Sequence, residues 1–323
     1  MADDNPRPHY RYVRLIDAAR ALPPVRTAVA YPCDEVSLAG AVEAARLRII
    51  EPILVGPSLR LREIAEAAKL EIGPLEVVNV DDSHEAAAEA VALVGKGRAE
   101  ALMKGSLHTD VLMGAAVRRE AGLRTDRRIS HCFILDVPGH ATALIITDAA
   151  VNIAPTLVET VDIIPNAIDL AHAMHVAEVR VAVLSAMETV NPDVPSTIEA
   201  AALCKMADRG QIVGATVDGP LALDNAISPE AAALKGIASP VAGRANVLLA
   251  PNLESGNILA KSLSFLAGGD AAGVVLGARV PIMLTSRADS LTTRLASCAV
   301  ASHVAEFIRR GRPVPGADAK PES

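Results

Sequence analysis

Residues 26–56, RTAVAYPCDEVSLAGAVEAARLRIIEPILVG, hold two short apolar runs separated by an Ala-rich segment with charges at helical spacing. The runs Arg26–Pro32 and Glu51–Gly56 are continuous rather than alternating, the pattern of strands covered on both faces. The segment between them, Ser37–Arg48, has the length of a crossover helix. The same unit recurs in Leu75–Val80 (LEVVNV) and Ala101–Gly105 (ALMKG), with helical segments Ser58–Leu70, Ser83–Lys96 and His108–Glu120. Strand and helix alternating at about 25-residue spacing predict a parallel sheet with crossover helices.

The alternation continues past Ile129. Ile129–Leu135 and Ala141–Asp148 read as strands around a turn at Pro138-Gly139, and Thr156–His175 as a helix interrupted by Pro165. Then come strand Arg180–Ala186, helix Ser196–Arg209, strands Gln211–Asp218 and Ala245–Pro251, and helix Glu254–Leu266. Strands Gly273–Gly277 and Pro281–Ser286 and a helix over about Asp289–Arg310 follow, then a polar tail, Gly311–Ser323, expected to fray. Ser196-Thr197-Ile198-Glu199 has capping-box spacing. No repeat or low-complexity linker is visible, so the boundary between the two α/β units is short and falls near Arg128. A site in the cleft between such units is expected.

At 323 residues the chain has room for two domains. Its 38 acidic and 31 basic residues leave a net charge of −7, and 51% of it is hydrophobic. That balance describes a globular protein without the basic face a nucleic-acid binder needs. With no Trp, three Tyr and three Phe, aliphatics and Ala must fill the core, and platforms for stacking bases are nearly absent. No stretch approaches the roughly 18 apolar residues of a membrane span, and the first residues lack a signal core, so a soluble cytoplasmic protein is expected. Cys33, Cys132, Cys204 and Cys298 form no CxxC and read as reduced, mostly buried thiols. His172 and His175 read as a solvated pair rather than metal ligands, and the glycines at 268–269 and 273–277 make no dinucleotide fingerprint.

Five places concentrate chemistry. Arg118–Arg128 packs five arginines and two acids into a short span, and arginine offers phosphate a planar fork. Met103–Thr109 (MKGSLHT) follows a strand and opens a helix, where free amides and the helix dipole favour an anion. It lacks the P-loop spacing. Leu284–Ser290 (LTSRADS) places hydroxyls, a guanidinium and a carboxylate at the carboxyl end of a strand, where open α/β sheets bind ligands. Asp289 or Ser290 equally suits a helix N-cap. Ala250–Asn257 with Lys261, and Val217–Leu221 with Asp224-Asn225, are further polar turns.

These strings run in order over about Leu75–Ala305: MKG (Met103–Gly105), GLRT (Gly122–Thr125) with Ser130-His131, GPLALDNAIS (Gly219–Ser228), APNLESGN (Ala250–Asn257) with Lys261, and SRADS (Ser286–Ser290). Together they resemble the phosphate acetyl/butyryltransferase family, and most of all its butyryltransferase-like branch. The resemblance implies the reaction acyl-CoA + phosphate ⇌ acyl phosphate + CoA. It implies an α/β fold of two three-layer domains with mostly parallel sheets and an interdomain cleft, a homodimer, coenzyme A as substrate, and no bound cofactor or metal. The C-terminal segment would return to the first domain, giving residues 1–128 with 273–323 and a second domain of 129–272.

In that reaction Ser286, Arg287 and Asp289 are the catalytic candidates. Arg287 and Arg124 would hold phosphate groups. Asp289 would serve as base toward the CoA thiol, and Ser286 with nearby amides would face the tetrahedral oxyanion. Lys104, Gly105, His108, Arg124, Thr125, Asn252, Glu254, Asn257 and Lys261 are the candidate phosphate and CoA contacts. Two departures from the acetyl branch stand out. Thr293 occupies the place of its proposed basic aspartate, and the stretch from Gly105 to Val117 lacks its arginine, for which Arg124 is a substitute. Acetyl and butyryl remain open as the acyl group. Other readings are a phosphate acyltransferase fed by acyl carrier protein, with Arg118–Arg128 as its docking surface, a metal- and NAD-dependent hydroxythreonine-phosphate dehydrogenase of related fold, and a non-catalytic binding protein.

Overall fold

The computed structural model describes residues 10–286 and 289–311. The chain runs α1 (Tyr10–Arg20), β1 (Val25–Ala30), α2 (Glu35–Arg46), β2 (Ile50–Gly56), α3 (Ser58–Ala67), β3 (Glu76–Asn79), α4 (Ser83–Gly95), β4 (Ala101–Lys104) and α5 (Thr109–Ala116). Next come β5 (Ser130–Asp136), β6 (Leu144–Thr147), α6 (Leu157–Ala173), β7 (Arg180–Leu184), α7 (Pro195–Asp208), β8 (Thr216–Leu221), α8 (Leu223–Ile227), α9 (Pro229–Leu234), β9 (Val247–Leu249) and α10 (Leu253–Lys261). A π-helical turn, Ser262–Leu266, leads to β10 (Asp270–Leu276), β11 (Ile282–Met283) and α11 (Leu291–Arg309). The fold is α/β with mostly parallel strands. It forms two compact units, residues 10–129 with Asp270–Arg309, and Ser130–Gly269. Among the described residues no helix is long and apolar enough to cross a membrane.

In the first unit the strand order is β3-β2-β1-β4-β11-β10, parallel except for the β10–β11 pair. The continuous apolar runs of β1 and β2 are buried at all but their second residue, as strands covered on both faces require. Helices start where side chains satisfy their first amides. The Asp34 carboxylate accepts from the Ser37 amide at 2.7 Å, and Asp82 accepts from those of His84 and Glu85 at 2.7 and 3.1 Å. The core joins Leu38, Leu54, Leu61, Met103, Met283 and Cys298. Alanine takes the place of aromatics at the helix–sheet contacts: Ala86, Ala87 and Ala90 are the buried face of α4.

The last segment returns to this unit. α11 packs on β10, α1 and α2. Its Arg309 donates to both oxygens of Glu100, just before β4, at 2.9 and 2.7 Å. This two-pronged pair closes a separation of 209 residues.

In the second unit the order is β5-β6-β9-β7-β8, with β5–β6 antiparallel and the rest parallel. α6 runs through Pro165 without interruption. The ring forfeits one rung of the ladder, but Ile163, Ile164, Asn166, Ala167 and Ile168 around it are buried, and that packing outweighs the lost bond. A capping box at Thr156 and Glu159 starts this helix, whereas the spacing at Ser196 does not make one. There Pro195 takes the first helical position, and the Ser196 hydroxyl bonds that of Ser185 at 2.8 Å. β8 begins at Thr216 because Gly210 and Gly214, with φ of 72° and 87°, bend the chain between α7 and the strand. His172 is buried rather than solvated, donating from Nε2 to the Gly214 carbonyl at 2.8 Å.

The Glu100–Arg309 pair gives the first prediction. The Arg309 hydrogen bond holds the Glu100 carboxyl below its ordinary value. A depressed carboxyl stabilises the fold above the unfolded carboxylate range and loses that contribution as pH falls through it. Urea unfolding of Glu100→Gln should show a loss of about 1 kcal/mol at neutral pH, shrinking toward pH 3.

Candidate functional site

In the first unit, the carboxyl ends of β1, β4 and β11 lie side by side, with Ala30 paired to Lys104 and Met283 to Met103. Three segments leave from there: 31–34, 104–108 and the one that begins at Leu284. Gly105 ties the first two together. Its amide donates to the Ala30 carbonyl and that of Ser106 to the Tyr31 carbonyl, both at 2.9 Å. The Ser106 hydroxyl donates to the Tyr31 carbonyl at 2.9 Å and accepts the Cys33 amide at 3.2 Å. A Cβ on Gly105 would come within 2.4 Å of the Ala30 oxygen, 2.5 Å of the Tyr31 oxygen and 2.6 Å of the Pro32 nitrogen. Only glycine fits. The two amides that the sequence offered to an anion are therefore engaged by backbone carbonyls.

Lys104 is buried, its Nζ donating to the carbonyls of Gly105 and Leu107 at 3.3 and 3.1 Å. His108 is exposed at the N-cap of α5 and makes no side-chain capping bond. The third turn closes on itself. The Ser286 amide donates to the Asp289 carboxylate, and the Asp289 amide donates back to the Ser286 carbonyl at 3.2 Å. The Ser290 hydroxyl accepts the Thr293 amide at 3.2 Å and so caps α11. The Ser286 amide is thus occupied rather than open to an oxyanion. Arg287 lies outside the described residues.

Farther along this unit, the GLRT string is stitched to the end of β10. Arg124 bridges to Ala278, the Leu123 carbonyl accepts the Arg279 amide at 2.9 Å, and the Thr125 hydroxyl donates to the Gly277 carbonyl. The Arg124 side chain is exposed.

In the second unit, the turns after β6 and β9 meet. Asp148 accepts the amides of Ala150, Val151 and Asn152 at 2.9, 3.1 and 3.0 Å, and also the Asn152 side-chain amide. Gly256 presses against this turn, since a Cβ there would be 2.5 Å from the Asp148 carbonyl oxygen. Asn257 donates to the Ala149 carbonyl at 2.9 Å. Asn252 is the N-cap of α10, accepting from the Ser255 amide at 2.9 Å. Glu254 and Lys261 are exposed at the two ends of the same helix. Asp148 and Asn152 went unread in the sequence, although an Asp at a strand end with an Asn four residues on is a turn signal.

His131 lies on β5 next to this turn. It is buried, edge-on to Phe133 with centroids 4.4 Å apart, and its Nδ1 has no hydrogen-bond partner among the described residues. Burial pushes its pKa from 6.5 down to about 4, against the opposing pull of Asp148. Among the described residues no group of three or more His, Cys, Asp or Glu is placed to hold a metal ion.

The Thr285 and Ser286 hydroxyls, the Asp289 carboxylate and buried Lys104 with its glycine-locked turn thus gather at the carboxyl edge of a parallel sheet, where open α/β sheets bind ligands. Comparison with known proteins gives the chain a family. The phosphate acetyl/butaryl transferase family model matches residues 83–302. The chain belongs to the phosphate acetyl/butyryltransferase family. It is similar to the phosphate acetyltransferase of Rhizobium meliloti, with 62% identity over 90% of this chain and 92% of the relative. It is also similar to the phosphate butyryltransferase of Clostridium beijerinckii, with 41% identity over 90% of this chain and 96% of the relative. Among solved structures, a branched-chain phosphotransacylase from Enterococcus faecalis V583 superposes with a TM-score of 0.77 at 30% identity, covering 87% of this chain and 99% of that one.

His131 supplies a pH prediction. The folded state keeps it neutral, so the unfolded chain binds the extra proton between pH 6.5 and 4. Its contribution is complete above pH 6.5 and lost as pH falls toward 4, by about 3 kcal/mol in all. Chemical unfolding across that window should show this slope, and His131→Gln should flatten it.

Proposed function

We propose that this family member catalyses acyl-CoA + phosphate ⇌ acyl phosphate + CoA with an acetyl or short-chain acyl group. The observation that carries the reading is the family match over residues 83–302, together with Ser286 and the Asp289 carboxylate bonded to each other just past the carboxyl end of β11. In the direction that consumes acyl phosphate, the CoA sulfur gives up its proton and attacks the carbonyl carbon. The carbon–sulfur bond forms, the oxyanion collapses, and the carbon–oxygen bond to phosphate breaks. Asp289 is assigned as the base, and Arg287 and Arg124 as the cations for phosphate groups. The Ser286 hydroxyl is assigned to the oxyanion. Lys104, Gly105, His108, Thr125, Asn252, Glu254, Asn257 and Lys261 complete the assigned contacts to CoA and phosphate.

We further assign the enzyme to the cytoplasm, in keeping with four free cysteines, three of them buried. A homodimer is supported by an apolar patch in the second unit. Ile258, Phe265 and Leu266 are 65%, 72% and 86% exposed on α10 and the turn after it. Ile153, 75% exposed, joins them, its carbonyl accepting the Leu253 amide at the start of α10. Large apolar groups clustered this way mark a covered face, and a second copy is the occupant assigned here.

Two measurements test these assignments. Thiol release from acetyl-, propionyl- and butyryl-CoA should require phosphate, and arsenate should drive continuous loss of acyl-CoA. Arg287→Ala should lower kcat by on the order of 100-fold or more, and turnover independent of phosphate would refute the reaction. Light scattering should give twice the chain mass for the wild type, and Phe265→Glu with Leu266→Glu should shift it to a single copy.

A further inference from the structure

α11 carries a cation where helix physics disfavours one. Arg294 sits in its first turn, with its amide donating to the Ser290 carbonyl at 3.1 Å. The positive end of the helix dipole opposes a positive charge there. The side chain is also 1% exposed, among the largest fully buried groups of the protein. Its stem lies on α2 at Gly40, where a Cβ would stand 3.1 Å from the Arg294 Cδ and 3.4 Å from its Cβ. α2 makes room for this arginine with a glycine.

The guanidinium does not repay its burial through an ion pair. Among the described residues it donates from Nη1 to the Thr285 hydroxyl at 2.8 Å and from Nη2 to the Ser286 carbonyl at 3.0 Å, and its Nε has no partner. Burial disfavours its charge, while the charges of Asp34 and Asp289 favour it. A buried cation bonded only to neutral groups is a poor way to fill space, because an apolar side chain of similar size would do so without the desolvation cost. What the guanidinium does provide is a rigid two-point fork. Both points are on the strand end that leads into the SRADS turn. The Ser286 carbonyl takes the Arg294 bond and the Asp289 amide together, so the same oxygen anchors both ends of the turn.

We propose that Arg294 is a positioning residue of the acyl-transfer site, its fork fixing Thr285 and the Ser286 carbonyl so that the Ser286 hydroxyl and the Asp289 carboxylate are held in their working directions. This rests on the reaction proposed above. Arg294 is buried behind the turn and acts through it, without contact to substrate.

The test compares kcat and KM for acyl-CoA and phosphate in the full-length wild type, Arg294→Met, Arg294→Lys and Thr285→Val, with circular dichroism and thermal unfolding run alongside. Displacing a reacting group by about 1 Å costs on the order of 100-fold. Arg294→Met should therefore lower kcat about that much while KM for acyl-CoA stays within about threefold. Arg294→Lys should recover at least about tenfold of the loss, because it restores the charge and one donor. Thr285→Val, which removes one anchor and keeps the arginine, should lower kcat about tenfold at unchanged KM. If Arg294→Met does not fold, the lysine and valine variants decide. Folded variants with kcat within about twofold of wild type overturn the positioning role, as does a folded lysine variant no better than methionine. A wild type without phosphate-dependent turnover overturns the reaction itself, and the role with it.

Discussion

The meeting of the strand-end turns in the first unit depends on one steric constraint, the absence of a side chain at residue 105. The turn after β4 lies so close to the turn after β1 that a single methyl would sit inside the radius of three backbone atoms. That closeness lets the amides of Gly105 and Ser106 continue the β1–β4 pairing beyond the strand ends. Lys104 is consequently fixed at the last paired position, and its ammonium turns back onto the carbonyls of its own turn. β11 then pairs along β4 in parallel, which brings residues 284–286 to the same edge.

The second unit uses the same device with different residues. Gly256 is pressed onto the turn after β6 as Gly105 is pressed onto the turn after β1. In the first case the neighbouring turn is held from outside, by the Ser106 hydroxyl bonded to Tyr31 and Cys33, and in the second from inside, by the Asp148 carboxylate. Glycine thus supplies proximity, and a short polar side chain supplies rigidity. Polar strings such as MKG and ESGN consist largely of residues that build turns, with few side chains left over for ligand.

Much of this architecture was legible in the sequence because parallel strands buried on both faces produce uninterrupted apolar runs. The strings at 26–32, 51–56 and 101–105 each contain or overlap a strand. The short β11 was readable only as part of a longer run, since two of its residues pair while the rest of 281–286 is turn. Pro165 misled because local propensity says nothing about the buried isoleucines around it. At the site, spacing showed which segments would carry chemistry but not which atoms are already committed. That the amides of Gly105, Ser106 and Ser286 are taken follows from close approaches between segments distant in sequence. Arg294 went unread in the sequence, and only its burial in the structure sets it apart.

The first unit is assembled from two pieces of chain separated by the whole of the second. During synthesis, β4 emerges early with one edge lacking the neighbour that β11 will provide. At ribosomal speeds of roughly 5–20 residues per second, that edge waits on the order of ten seconds while residues 130–269 are made. The second unit has all of its strands before the first does. An unpaired edge beside a hydrophobic sheet invites association with another nascent chain, so this interval is one of exposure for the polypeptide.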